Sequence, residues 1–139
     1  MILVDTSGIL AAMFADQNGH DECAKALLNA EPPRIVSPFV VAEADFLIQK
    51  FGGVDAEAAF LEEIGRRAYE LATFDEDDVE AARHLIMKYR SLRIGLADAS
   101  IAILAARYES FDVLTLDERH FRAIRPAPRK NFRILPADA

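Results

Sequence analysis

Apolar residues fall into short unbroken runs that alternate with longer runs recurring every third or fourth position. Ile2-Leu3-Val4 reads as a short buried strand, and Thr6-Ser7-Gly8 turns the chain into a helix that continues to Phe14. Asp16-Gln17-Asn18-Gly19 breaks that pattern. Asp21 to Ala30 predicts a second helix, which Pro32-Pro33 stops, and Ile35-Val36 a second strand. Pro38 suits the first turn of a helix running to Lys50, ended by Gly52-Gly53. Asp55 to Arg67 forms a further amphipathic helix, and Tyr69-Glu70-Leu71-Ala72 a third strand. The acids Asp75 to Asp78 favour the positive end of another helix, whose inner face carries Val79, Ala82, Leu85, Ile86 and Tyr89. Gly95 precedes a helix from Leu96 to Tyr108; Asp112 to Leu116 and Phe132 to Leu135 complete the strands. Strands separated by helices give one α/β domain, residues 1–139, with a mainly parallel central sheet.

Four acids interrupt this pattern where apolar residues are expected. Asp5 ends the first strand, and Asp117 follows Val113-Leu114-Thr115-Leu116. Glu43 lies among Phe39, Val40, Phe46 and Leu47, a helical spacing that places it on an inward stripe. Asp98 opens the stripe of Ala97, Ile101, Leu104, Ala105 and Tyr108. A carboxylate buried without a partner costs several kcal/mol or gives up its charge. In open parallel sheets, ligands gather beyond the carboxyl ends of the strands, where these acids lie. One shared cation is the simplest partner for all four. Each also has a structural alternative: a helix cap for Asp98, Asx-turns for Asp5 and Asp117, an ion pair for Glu43.

Composition narrows the class. The 139 residues are 52% hydrophobic, which supports a folded globular chain. No apolar run approaches the roughly 18 residues of a membrane span, and no basic segment leads into an apolar one as in a secretory signal. The single cysteine, Cys23, forms no internal disulfide, fits a reducing cytoplasm, and reads as a packing residue. The net charge of −7 argues against coating nucleic acid with the whole surface. Yet Arg119, His120, Arg122, Arg125, Arg129, Lys130 and Arg133 form a run without Asp or Glu, so one edge can meet a polyanion. His120 and the other two histidines read as surface or structural residues, and Asp45, two positions from Glu43, as the partner of an arginine.

Clustered carboxylates that hold Mg²⁺ or Mn²⁺ can activate water and stabilise charge on a phosphate, so phosphodiester hydrolysis needs no nucleophilic side chain. No zinc-type Cys/His cluster and no phosphate-cradling Gly-rich loop offers other chemistry.

Val4-Asp5-Thr6-Ser7, Val41-Ala42-Glu43, Ala97-Asp98-Ala99-Ser100-Ile101 and Leu114-Thr115-Leu116-Asp117 with Phe121 together resemble the PIN-domain family, specifically its VapC-like toxins. The resemblance implies a three-layer α/β/α fold and a Mg²⁺- or Mn²⁺-dependent endoribonuclease acting on tRNA or rRNA. It maps the catalytic, metal-binding acids onto Asp5, Glu43, Asp98 and Asp117, with Thr6, Ser7 and Thr115 as supporting hydroxyls. It further implies a VapB-like antitoxin and a homodimer. Many relatives carry another acid two positions after the one matching Asp117; here that position is Arg119. Arg119 and Arg122 are the candidate RNA contacts. Two other readings compete. A haloacid-dehalogenase-type phosphatase needs a second Asp two residues after the first, whereas Ser7 stands there. A non-catalytic RNA- or protein-binding module would keep the acids for stability alone.

Overall fold

Ile2-Leu3-Val4 forms β1, the middle strand of a five-stranded sheet, and all three side chains are buried. The computed structural model describes residues 1–139. β1 is flanked by β2 (Arg34–Val36) and β4 (Asp112–Leu114); β3 (Glu70–Leu71) and β5 (Arg133–Leu135) form the edges. Every pairing is parallel, with Leu3 opposite Ile35 on one side and Val113 on the other. Parallel strands need crossover connections, and helices supply them on both faces in a three-layer α/β/α arrangement. These are α1 (Thr6–Met13), α2 (His20–Asn29), α3 (Pro38–Gly65), α4 (Glu76–Lys88), α5 (Leu96–Tyr108) and α6 (Glu118–Ala123). No helix is long and apolar enough to cross a membrane.

The strand order β3-β2-β1-β4-β5 reverses direction at β1. Connections from β1 and β4 therefore leave in opposite directions and open a crevice between their carboxyl ends. Two close approaches hold that crevice in shape. A Cβ on Gly8 would stand 2.5 Å from the Leu114 carbonyl oxygen, so only glycine lets α1 lie this near β4. Ser37, the N-cap of α3, shares a 2.6 Å hydrogen bond with Ser100 of α5, and both are buried. Ser100 also donates to the Ala97 carbonyl at 2.6 Å.

One expected helix break is met, and one segment differs from expectation. The break expected at Gly52-Gly53 is present: inside α3 the backbone leaves helical geometry at Gly53, whose φ of 83° and ψ of −179° suit glycine, and two helical segments meet at that kink. The segment after Asp117, read only as a basic run, forms α6. Asp117 caps it by accepting from the His120 amide at 3.1 Å. The capping box formed by Asp75 and Asp78 fits the helix start expected there, and Cys23 is buried in the core.

Candidate metal centre

Asp5 leaves the end of β1 and is only 6% exposed. Its amide donates to the Leu114 carbonyl at 2.9 Å, continuing the β1–β4 ladder past the strand. One carboxylate oxygen, Oδ2, accepts from Thr115 Oγ1 at 2.7 Å and from Ser7 Oγ at 3.2 Å. Ser7 in turn accepts from the Leu116 amide at 2.9 Å, and Thr115 from the Asp117 amide at 3.0 Å. The two loops are thus tied together by their hydroxyls. Burial outweighs these hydrogen bonds and pushes the Asp5 carboxyl up to about 6, with the nearby Asp98 charge adding to the rise.

Asp98 sits in the first turn of α5 and makes no capping bond; Gly95 holds the cap position. Burial raises its pKa above the usual carboxylate range, a hydrogen bond from His120 opposes the rise, and the charges of Asp117 and Glu43 reinforce it. His120 Nδ1 lies 2.8 Å from Asp98 Oδ2 and 3.1 Å from Asp117 Oδ2. The reading of His120 as a surface residue was therefore wrong: its side chain is 20% exposed and stands inside the site. The missed signal is Asp117-x-x-His120, because an N-cap and the residue three positions later face each other once α6 forms.

Glu43 corrects a second expectation. It is exposed, and the buried line of α3 runs through Val40, Ala44 and Ile48. Phe46, assigned to the same stripe, is 65% exposed. Glu43 nevertheless borders that line on the side of the crevice. A cleft of about 590 Å³ is lined by Asp5, Thr6, Glu43, Asp98, Asp117 and His120, with Leu10, Phe39, Leu47 and Leu96 as apolar walls. A cleft of similar volume, 570 Å³, beside α2 is lined by Glu22, Glu31 and Asp112 together with the cations Lys25 and Arg133, which supply positive charge among its acids.

Asp45 meets no arginine. It faces Glu57 across the α3 kink, and their contact raises the Asp45 pKa and lowers that of Glu57. Arg122 is engaged by Glu118 at 2.8 Å and by both oxygens of Asp138 at 2.7 and 2.8 Å. Arg119 is exposed and joins none of the ion pairs.

The donor set suits a divalent cation. Asp98, Asp117 and His120 offer ligand atoms within 4.8 Å of one another, and Asp5 and Glu43 line the same cleft. The buried Thr6 hydroxyl, in the same cleft, has no hydrogen-bond partner. Of the three expected supporting hydroxyls, Ser7 and Thr115 orient Asp5, while Thr6 stays unpaired.

Residues 2–126 match the PIN domain family. Over 135 residues the chain is 40% identical to ribonuclease VapC26 of Mycobacterium tuberculosis, covering 97% of this chain and all of that protein. The chain belongs to the PIN-domain family. Among solved structures, this PIN domain is similar to M. tuberculosis VapC20, described as a sarcin-ricin loop cleaving toxin, with a TM-score of 0.80. Identity there is 18%, over 86% of this chain and 92% of VapC20. It is also similar to a chain of VapBC2 from Rickettsia felis, solved bound to a DNA fragment from the VapBC2 promoter. That match has a TM-score of 0.68 and 18% identity over 96% of this chain and 98% of the other. At these identities the two structures speak to the fold of the PIN domain; the family match and the 40% relative place it among VapC-type proteins.

Proposed function

We propose that the protein is a toxin-type endoribonuclease that needs Mg²⁺ or Mn²⁺ and hydrolyses phosphodiester bonds of a structured RNA. The observation that carries this reading is the meeting of four carboxylates, from four separate segments, in one cleft at the β1–β4 crevice. Without positive charge between them, burial and mutual repulsion hold both Asp5 and Asp98 toward their protonated forms. Asp5, Asp98, Asp117 and Glu43 would hold the cation. When bound, it supplies Lewis acidity for the phosphate and for the attacking water. Thr115 and Ser7 keep the Asp5 oxygen fixed. The name of VapC26, a ribonuclease, supports RNA as the substrate class; transfer or ribosomal RNA is the structured target of this reading.

Exposed basic side chains on the segments that lead into the cleft are suited to the RNA backbone. Tyr89 Oη accepts from the Arg125 amide at 3.0 Å, which brings the segment around Arg90 and Arg93 against the end of α6. Arg90, Arg93 and Arg125, like Arg119, are exposed and join no ion pair, so these three replace Arg122 as the candidates beside Arg119. Phe46, Phe51, Val54 and Leu61 are exposed apolar side chains along α3, suited to contact with a protein partner, a VapB-like antitoxin or a second copy of the chain. The VapBC2 assembly supports the antitoxin as partner. The site of action in this reading is the cytoplasm.

The test compares wild type with Asp98→Asn on total tRNA and rRNA, with Mg²⁺, Mn²⁺ or EDTA. Metal-dependent fragments from wild type, absent with the variant, are expected. Folded, antitoxin-free protein that cuts neither RNA would replace this reading with a binding module.

A further inference from the structure

The contacts of His120 single it out within this centre, and an unpartnered hydroxyl nearby in the cleft marks the centre as incomplete. His120 Nδ1 faces two carboxylates from different elements, at 2.8 Å from Asp98 and 3.1 Å from Asp117. Two ligands at right angles on an octahedral ion, each about 2.1 Å from it, stand about 3.0 Å apart, so both spacings match ligand edges as well as hydrogen bonds. The Thr6 hydroxyl, buried and unpartnered in the same cleft, marks a polar position that the protein itself leaves unsatisfied. Imidazole nitrogen is a poor ligand for Mg²⁺ and a better one for first-row transition-metal ions, among which Mn²⁺ binds nitrogen least tightly.

We infer that His120 is a direct ligand of the cation, through Nδ1, and that this nitrogen tilts the centre toward Mn²⁺ over Mg²⁺. The inference rests on the metal-dependent reading above and deepens it. The local fold explains why His120 can serve. It occupies the third position of α6, its backbone amide is fixed by Asp117 Oδ1, and the helix turn returns its ring to the face of that carboxylate. Arg119, one position earlier, is exposed. His20 and His84 cannot substitute, because His20 Nδ1 is bonded to the Ala11 carbonyl and His84 lies exposed beside Glu80.

The experiment is pulsed EPR on the full chain carrying one equivalent of Mn²⁺, with ordinary and isotope-labelled histidine. A histidine-nitrogen coupling that changes with the label is expected, and His120→Asn should abolish it. Calorimetric titration should show the same substitution weakening Mn²⁺ binding by roughly tenfold or more and Mg²⁺ binding much less. Mn²⁺ bound without nitrogen coupling, or equal losses for the two ions, overturns the ligand role and leaves the nuclease reading standing. Absence of any Mn²⁺ or Mg²⁺ binding by folded wild type overturns both. The wild-type spectrum decides the matter even if the variant does not fold.

Discussion

Asp5 has little water to stabilise its charge, and Thr115 and Ser7 replace that water only in part. Its pKa of about 6 lies above the ordinary 3.8, so the folded state binds this proton more tightly than the unfolded chain does. The stabilisation tied to that proton is fully present below about pH 4 and is lost as pH rises through about 6. Keeping Asp5 ionised at pH 7 costs the metal-free protein about 3 kcal/mol. Asp5→Asn should therefore stabilise the metal-free protein at pH 7, by at most about that amount, while abolishing RNA cleavage. Denaturant titrations at pH 7 and pH 4 should show the gain shrinking toward zero at the lower pH. Thr115→Val removes the 2.7 Å donor to Asp5 and should push this carboxyl higher still. The acid limb of the cleavage-rate profile should move to higher pH, and an unmoved limb would show that Asp5 does not control it.

At the scale of elements, the site depends on how closely helices approach strands. α1 reaches β4 across the glycine at position 8, and the Ser37–Ser100 bond ties the start of α3, which carries Glu43, to α5, which carries Asp98. Gly8→Ala puts a methyl group against a backbone oxygen that cannot swing aside. A loss of roughly 1–3 kcal/mol in denaturant stability is expected, together with weaker metal binding, because α1 must move away from the crevice. Most helices and all five strands were legible because apolar periodicity reports which face is buried. α6 was not, since its six residues are mostly charged and only Phe121 is buried. Without α6, the relation between Asp117 and His120 could not be seen. Glu43 was misplaced for a related reason: a helix bordering a cleft has an edge that is neither core nor open surface, and spacing alone does not distinguish it.

Over the whole molecule, an acidic chain carries unpaired arginines around an acidic centre. RNA binding should be salt-dependent. Arg93→Ala and Arg119→Ala should each weaken it and flatten the slope of log affinity against log salt by roughly 0.7–0.9. Arg122→Ala should leave that slope unchanged, because Glu118 and Asp138 already hold its charge. Filter binding of a non-cleavable RNA to the Asp98→Asn protein across salt concentrations measures all three. A slope altered only by Arg122→Ala would overturn the assignment.

The sequence by itself determined the α/β alternation, the four interrupting acids and the family likeness, because each is written in local order: apolar period, polar interruption, motif spacing. It also exposed the departure at Arg119. Only the tertiary structure decided which side chains meet. The reversal of strand order beside β1 creates the crevice, the cap on α6 turns His120 into it, and distant Asp138 withdraws Arg122 from the candidate RNA contacts. These relations join residues far apart in the chain or depend on a short helix with little apolar signal, so they become visible only when the backbone has closed.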